Sequence, residues 1–278
     1  LGARMLAQRY NKPKLNIIDN KIYALVGEGC LMEGVSFEAL SLAGHLQLNN
    51  LIVVYDCNRI SLDSSTTKTF SVDIKSYMKA LGFNVYEVLD GNNLVEINRA
   101  LALAKKSNKP AFVIVNTKIG YSTAYENSNN AHGAVLNDEQ LEELKTQLKI
   151  NTTDNFELEK EVKLQLEIIK ARFSFTANNF EEKLKQYKRF HAEDAASLHN
   201  FIVGGYNIDY KKTIDLSQFA SNLSSREMGG IILNECAKID NTIVGGGADV
   251  SSSTKAYIKD GGEVASYNLN AKNILYGV

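Results

Sequence analysis

The run Lys21-Ile22-Tyr23-Ala24-Leu25-Val26, closed by Gly27 and Gly29, constrains this chain more than any other feature. It is short, rich in strand-favouring residues and ended by turn formers, so it reads as a buried strand entering a tight turn. From Gly34 to Leu48 the apolar period changes. Phe37, Leu40, Gly44 and Leu48 fall near one helical face, widened by Ala43 and Leu46, and Asn49-Asn50 ends the segment. Leu51 to Asp56 is a second apolar run. Strand, helix and strand at this spacing form a right-handed parallel crossover. The fold class is therefore α/β, a parallel sheet flanked by helices.

The pattern continues with a helix over Val72 to Leu81, a strand over Phe83 to Leu89, a helix over Leu94 to Ser107 and a strand over Ala111 to Val115 after Pro110. These are successive members of one sheet and its cover. Thr117 to Asn130 is polar and loop-like, long enough to suggest a function. Asn137-Asp138-Glu139-Gln140 then caps a helix running to Ile150. Between Asn151 and Leu223 the chain is charged and helical in period, with helices expected over Phe156 to Lys170 and Phe180 to Leu198. A new α/β unit opens at Ser224, with a helix to Ile239, a strand over Thr242 to Val244 and the run Gly245-Gly246-Gly247. One helix and one strand do not bury a core, so the last residues are expected to begin a domain whose remainder lies elsewhere.

Composition narrows the function classes. Of the 278 residues 44% are apolar, enough for a packed core. Thirty-one Lys and Arg against 32 Asp and Glu leave a formal charge of -1. Such a chain has no positive field to attract nucleic acid or anionic lipid, and neither is expected as a partner. The longest apolar stretch, Leu51 to Tyr55, is far short of the roughly 20 residues that span a bilayer. Cys30, Cys57 and Cys236 are odd in number and form no CxxC pair, which fits a reducing, cytoplasmic setting. The start Leu1-Gly2-Ala3-Arg4 shows no charged-then-apolar leader, so no signal peptide is expected, and an opening inside a helix suggests a preceding portion.

The chemistry concentrates in Gly27-Glu28-Gly29-Cys30-Leu31-Met32-Glu33-Gly34. Met32 stands where a GxGxxG dinucleotide fingerprint needs glycine, and Val35-Ser36 stands where a Walker loop needs Lys-Ser/Thr. What remains is a glycine-flanked carboxylate at the carboxyl end of a strand, where α/β sheets bind ligands. Tyr55-Asp56-Cys57-Asn58-Arg59-Ile60-Ser61 ends the next strand, so Glu28 and Asn58 are expected side by side on one sheet edge. A carboxylate and an amide oxygen suit a hard divalent cation such as Mg²⁺ or Ca²⁺. Glu28, Asn58, the carbonyl near Ile60, two diphosphate oxygens and a water would make six ligands. Taken singly, Asn58 reads better as a turn former after a strand.

A GDG or GEG triplet followed about thirty residues later by an Asn-containing turn resembles the thiamin diphosphate motif. Glu33-Gly34-Val35-Ser36-Phe37-Glu38-Ala39-Leu40-Ser41-Leu42-Ala43-Gly44-His45-Leu46 and Asn58-Arg59-Ile60-Ser61-Leu62-Asp63 resemble the transketolase family specifically. So do Asp90-Gly91-Asn92, Lys109-Pro110, Thr117-Lys118-Ile119-Gly120-Tyr121 and His132-Gly133-Ala134-Val135-Leu136. The likeness is dense from Leu1 to Ile150, thinner beyond, and returns at Ser225-Arg226-Glu227 and Gly246-Gly247-Ala248-Asp249.

This resemblance implies a diphosphate- and metal-binding domain over residues 1–150, a helical interdomain linker over 151–222 and the start of a pyrimidine-binding domain over 223–278. It implies that Glu28, Asn58 and the Ile60 carbonyl hold the metal and that Gly29 lets backbone approach the diphosphate. His132 would sit over the cofactor and contact the donor sugar, and Arg226 and Ser253 would bind a sugar phosphate. Glu33 and Glu38 match carboxylates at the family's subunit interface, so a homodimer is implied. The activity implied is reversible transfer of a two-carbon ketol unit from a ketose phosphate to an aldose phosphate in the non-oxidative pentose phosphate pathway.

Other readings stand beside these. His132 also fits a surface loop, Glu33 and Glu38 a helix start that favours acidic residues, Arg226 a helix end capped by Ser224-Ser225, and His45 simple packing. Most transketolases have Asp at the position of Glu28, and the added methylene moves the carboxylate by about an ångström. The family's upstream histidines and its activating Glu, which follows Tyr/Phe-Gly-Val-Arg, have no counterpart within Leu1 to Val278. The alternatives are a deoxyxylulose-phosphate synthase, a dihydroxyacetone synthase, or a chain of this kind that only binds or assembles.

Overall fold

The computed structural model describes residues 1–151, 156–204, 208–219 and 222–277, with the side chain of Leu216 left aside. Val278, which ends the Tyr276-Gly277-Val278 motif, and parts of the 151–222 linker lie outside the described residues. In chain order the elements are α1 (Gly2–Tyr10), β1 (Ile22–Val26), α2 (Glu28–Met32), α3 (Gly34–His45), β2 (Leu51–Cys57), α4 (Ile74–Ala80), β3 (Asn84–Val88), α5 (Leu94–Lys105) and β4 (Ala111–Asn116). They continue with α6 (Asp138–Gln147), α7 (Lys160–Phe190), α8 (Ala192–Val203), α9 (Tyr210–Thr213), α10 (Ser225–Ile239) and α11 (Ser251–Thr254). The chain divides into two compact units, Asn20–Asn179 and the pair Leu1–Asp19 with Phe180–Val278.

The first unit is built on a four-stranded parallel sheet in the order β1-β2-β4-β3. Parallel strands covered on their faces read as continuous apolar runs, and β4 is buried from Ala111 to Val115. Ile52, Val88, Ala111, Val113 and Val115 pack against Ala100 and Ala104 of α5. Elsewhere in the sheet Phe112 meets Tyr55 and Phe83, and Phe37 of α3 meets Tyr77 of α4 edge-on. A Cβ on Gly44 would lie 1.8 Å from the Leu81 carbonyl oxygen, so only glycine lets α3 come this close to the end of α4. Strand β1 is an edge, with Ile22, Tyr23 and Leu25 exposed, the last to 77%.

In the second unit, Tyr10 and Ile17 pack with Tyr187, Ala195 and Leu198. The Tyr187 hydroxyl donates to the Tyr10 carbonyl at 2.6 Å, and Lys12 pairs with Asp194 at 2.7 Å. The two helices expected over 156–170 and 180–198 are instead one 31-residue helix, α7, followed by a break at His191 and then α8. No Gly or Pro occurs between Lys170 and Phe180 to interrupt it. Thr242 to Val244 is not a strand. The Thr242 N–H and hydroxyl both donate to Asp240 Oδ1, at 2.7 and 2.6 Å, and this side-chain turn competes with extension. Extended pairing comes slightly later, as parallel bridges from Gly245 to Asn273 and from Ala248 to Tyr276.

Candidate functional site

Parallel register sets Val26 beside Tyr55 and Cys57 beside Asn116, so the turns after β1, β2 and β4 emerge at one edge. Gly27, in extended backbone, precedes α2, and Glu28 is its first residue. The Glu28 carboxylate is 3% exposed and accepts a short hydrogen bond from the Arg59 N–H. The loop after β2 is thereby brought onto the helix after β1.

Asn58 Oδ1 accepts the Ile60 N–H at 2.9 Å, which fixes the turn and leaves the oxygen a second lone pair. Thr66 closes the loop by donating its N–H to the Arg59 carbonyl at 3.0 Å, and Ser61 donates its N–H to the Ser64 carbonyl at 2.8 Å. Among the described residues no N–H donates to the Ile60 carbonyl.

Burial pushes the Glu28 carboxyl above the usual carboxylate range, and Asp56 adds to the rise; only backbone N–H groups, led by that of Arg59, oppose it. A buried carboxylate without a cationic partner is costly when ionised, and a bound cation reverses that balance. Burial, then Cys57 and Glu28, push the Tyr55 phenol up as well. Among the described residues no three His, Cys, Asp or Glu side chains cluster as a metal site. A cation here would therefore draw on one carboxylate, one amide oxygen and backbone carbonyl, a hard oxygen set.

Cβ atoms built on Gly27 and Gly29 meet nothing within 4 Å, so packing within the chain does not require glycine there. The open backbone at the first turn of α2 is compatible with a closely approaching phosphate. A cavity of about 680 Å³ opens beside Asn58 and Arg59 and is also lined by Asp90, Asn116, Thr117 and Lys118.

His132 ends a short 3-10 turn, Asn129–His132, and is exposed. Asn129 Nδ2 donates to the Leu62 and Asp63 carbonyls at 3.3 and 3.4 Å, tying this turn to the loop that carries Asn58. Glu33 precedes α3 as its N-cap residue and Glu38 lies within it; both are exposed. In the second unit the Arg226 guanidinium donates to the Ser253 carbonyl at 3.3 Å, so these two expected residues are neighbours. The cap of α10 is Ser224 with Glu227, and Arg226 takes no part in it.

Sequence reasoning passed over Tyr55, Arg59 and Asn116. Tyr55 carried a signal, since a buried strand residue with a polar tip next to the carboxylate-bearing turn needs a partner.

Residues 1–206 match the family described as transketolase, thiamine diphosphate binding domain. This chain belongs to the transketolase family. The Bacillus subtilis transketolase is 34% identical over 281 residues, covering 100% of this chain and 42% of that protein. The Aquifex aeolicus transketolase is 31% identical, with 100% and 40% covered. Among solved structures, Pichia stipitis transketolase in complex with sedoheptulose-7-phosphate superposes with a TM-score of 0.93 at 32% identity, covering 99% of this chain and 42% of that one. Campylobacter jejuni transketolase gives 0.86 at 32% identity, covering 99% and 41%. The chain thus spans less than half the length of the transketolases it matches, and the matched family region extends past residue 150 into the segment read as linker.

Proposed function

We propose that this chain forms the metal- and diphosphate-binding part of a transketolase that moves a two-carbon ketol unit between sugar phosphates. The observation that carries the reading is the Glu28–Arg59 hydrogen bond, which joins the glycine-flanked carboxylate to the Asn58–Ile60 turn. Glu28, Asn58 and the Ile60 carbonyl hold Mg²⁺ or Ca²⁺, and Gly29 leaves room for the diphosphate. When bound, thiamin diphosphate supplies the electron sink on which cleavage of a ketose carbon–carbon bond depends. The chain's own part is to bind and orient. Burial of Glu28 lowers the local dielectric and strengthens its hold on a cation, and the exposed His132 contacts the donor sugar.

Arg226 with Ser253 receives a sugar phosphate. The sugar phosphates bound in the Pichia stipitis structures, sedoheptulose-7-phosphate and fructose-6-phosphate, support that class of partner. Glu33 and Glu38 face a second copy in a homodimer, and the protein works in the cytoplasm in the pentose phosphate pathway. The division we propose is 1–150 for metal and diphosphate, 151–222 as linker and 223–278 as the start of the pyrimidine-binding domain.

The test uses these residues within a polypeptide of the relatives' full length. With thiamin diphosphate, Mg²⁺, xylulose 5-phosphate and ribose 5-phosphate, glyceraldehyde 3-phosphate should form, and Glu28→Ala should abolish both its formation and cation-dependent cofactor binding. Activity confined to pyruvate or formaldehyde as co-substrate would assign the protein to deoxyxylulose-phosphate or dihydroxyacetone synthesis instead.

A further inference from the structure

Arg59 is the one residue of the 58–66 loop with left-handed backbone, at φ 63, although it is neither Gly nor Asn. Residues with a Cβ take up that conformation only against an energetic preference, and the surrounding structure has to hold them there. Here it does so from three sides. The Arg59 N–H donates to Glu28 Oε1, and its carbonyl accepts the Thr66 N–H at 3.0 Å and the Thr66 hydroxyl at 3.3 Å. Its guanidinium donates to Asn116 Oδ1 at 3.3 Å, while Asn116 Nδ2 donates to the Val88 carbonyl at 2.9 Å. Through one residue the start of α2 and the ends of β2, β3 and β4 are linked.

The loop itself closes through Thr66 and the Ser61–Ser64 bond, neither of which involves the Arg59 N–H. That N–H has one partner, and it is the carboxylate. Glu28 carries one more rotatable bond than aspartate would, so its carboxylate has more orientations to lose before it can serve as a ligand.

We infer that Arg59 is a positioning residue for the cation site: its left-handed turn aims the backbone N–H at one carboxylate oxygen and holds Glu28 in a single orientation beside the Asn58–Ile60 turn. The inference rests on the cation-binding role proposed for Glu28. The guanidinium anchors the turn and does not itself touch the carboxylate. Side-chain loss at this position is therefore tolerable, whereas loss of the N–H or of the positive φ is not.

The full-length protein is titrated with Mn²⁺ in the presence of thiamin diphosphate, with free Mn²⁺ read by electron paramagnetic resonance. Arg59→Gly, which favours positive φ and keeps the N–H, should bind Mn²⁺ as the parent does. Arg59→Pro removes the N–H and fixes φ near −65°. Its affinity should fall by about tenfold to a hundredfold, the range for a lost partner of a metal ligand. Equal affinity in the parent and Arg59→Pro overturns the inference, as does a loss in Arg59→Gly as large as that in Arg59→Pro.

If Arg59→Pro does not fold, single-residue amide exchange decides. The Arg59 amide should exchange slowly in the cation-free parent and faster in Glu28→Ala; fast exchange in the parent overturns the inference. A parent that folds but binds no Mn²⁺ sinks the cation role of Glu28 and this inference with it, whereas parent binding unchanged in Arg59→Pro sinks this inference alone.

Discussion

Asn273 shows how much a single buried amide can hold. It is 1% exposed; its Oδ1 accepts the Ile258 N–H at 2.8 Å, and its Nδ2 donates to the Ile258 and Gly262 carbonyls, each at 2.9 Å. Replacing Asn273 with Ala leaves the buried Ile258 N–H without its partner, while the Ile258 and Gly262 carbonyls keep only the Gly261 and residue-273 N–H groups; an unsatisfied buried group costs about 1–3 kcal/mol. Denaturant unfolding of Asn273→Ala should show a loss of at least that size, and a change within about 0.5 kcal/mol would mean that water takes over the bonds. His132 is the opposite case, exposed at the end of its turn. His132→Ala in the full-length protein should slow ketol transfer while leaving stability within about 0.5 kcal/mol, as surface changes usually do. Unchanged turnover would return His132 to the role of an ordinary loop residue.

Elements are joined here by a few side chains whose charge matters. Lys75 of α4 donates to Glu87 of β3, and this bond holds the Glu87 carboxyl below the usual carboxylate range. A carboxyl lowered in the folded state stabilises the fold above its unfolded pKa, and the contribution fades as pH falls through the folded value. Glu87→Gln should therefore be less stable than the parent at neutral pH, and the two thermal melting curves should converge in acid below the ordinary carboxylate range. A gap that persists at low pH would trace the loss to packing instead. Strands β2 and β4 were legible because burial on both faces writes them as apolar runs, and the helix caps at Asn137 and Ser224 because capping needs specific side chains. The strand expected at 242–244 was not legible as a turn, since nothing in Thr242-Ile243-Val244 itself shows that Asp240 captures the Thr242 N–H. The site divides the same way. Glu28 and Asn58 follow from their places at strand ends, while the part played by Arg59 depends on the sign of one dihedral angle, which residue type does not encode for arginine.

For the molecule as a whole, the relatives' length decides what an isolated chain can do. Residues 1–278 correspond to 42% of the Bacillus subtilis transketolase. As an isolated polypeptide supplied with thiamin diphosphate, Mg²⁺ and a pentose phosphate pair, they should form no glyceraldehyde 3-phosphate. Turnover on the order of 10 s⁻¹ would show the catalytic groups to be complete within this span. The hydrogen bond from Tyr187 to the Tyr10 carbonyl joins residues 177 apart in sequence. At ribosomal speeds of about 5–20 residues per second, that separation is a wait of roughly 9 to 35 s between the emergence of α1 and that of its partner. Throughout that interval the face of α1 that Tyr187 covers waits for its partner, and a chaperone that shields Leu6 and Tyr10 would serve it until then.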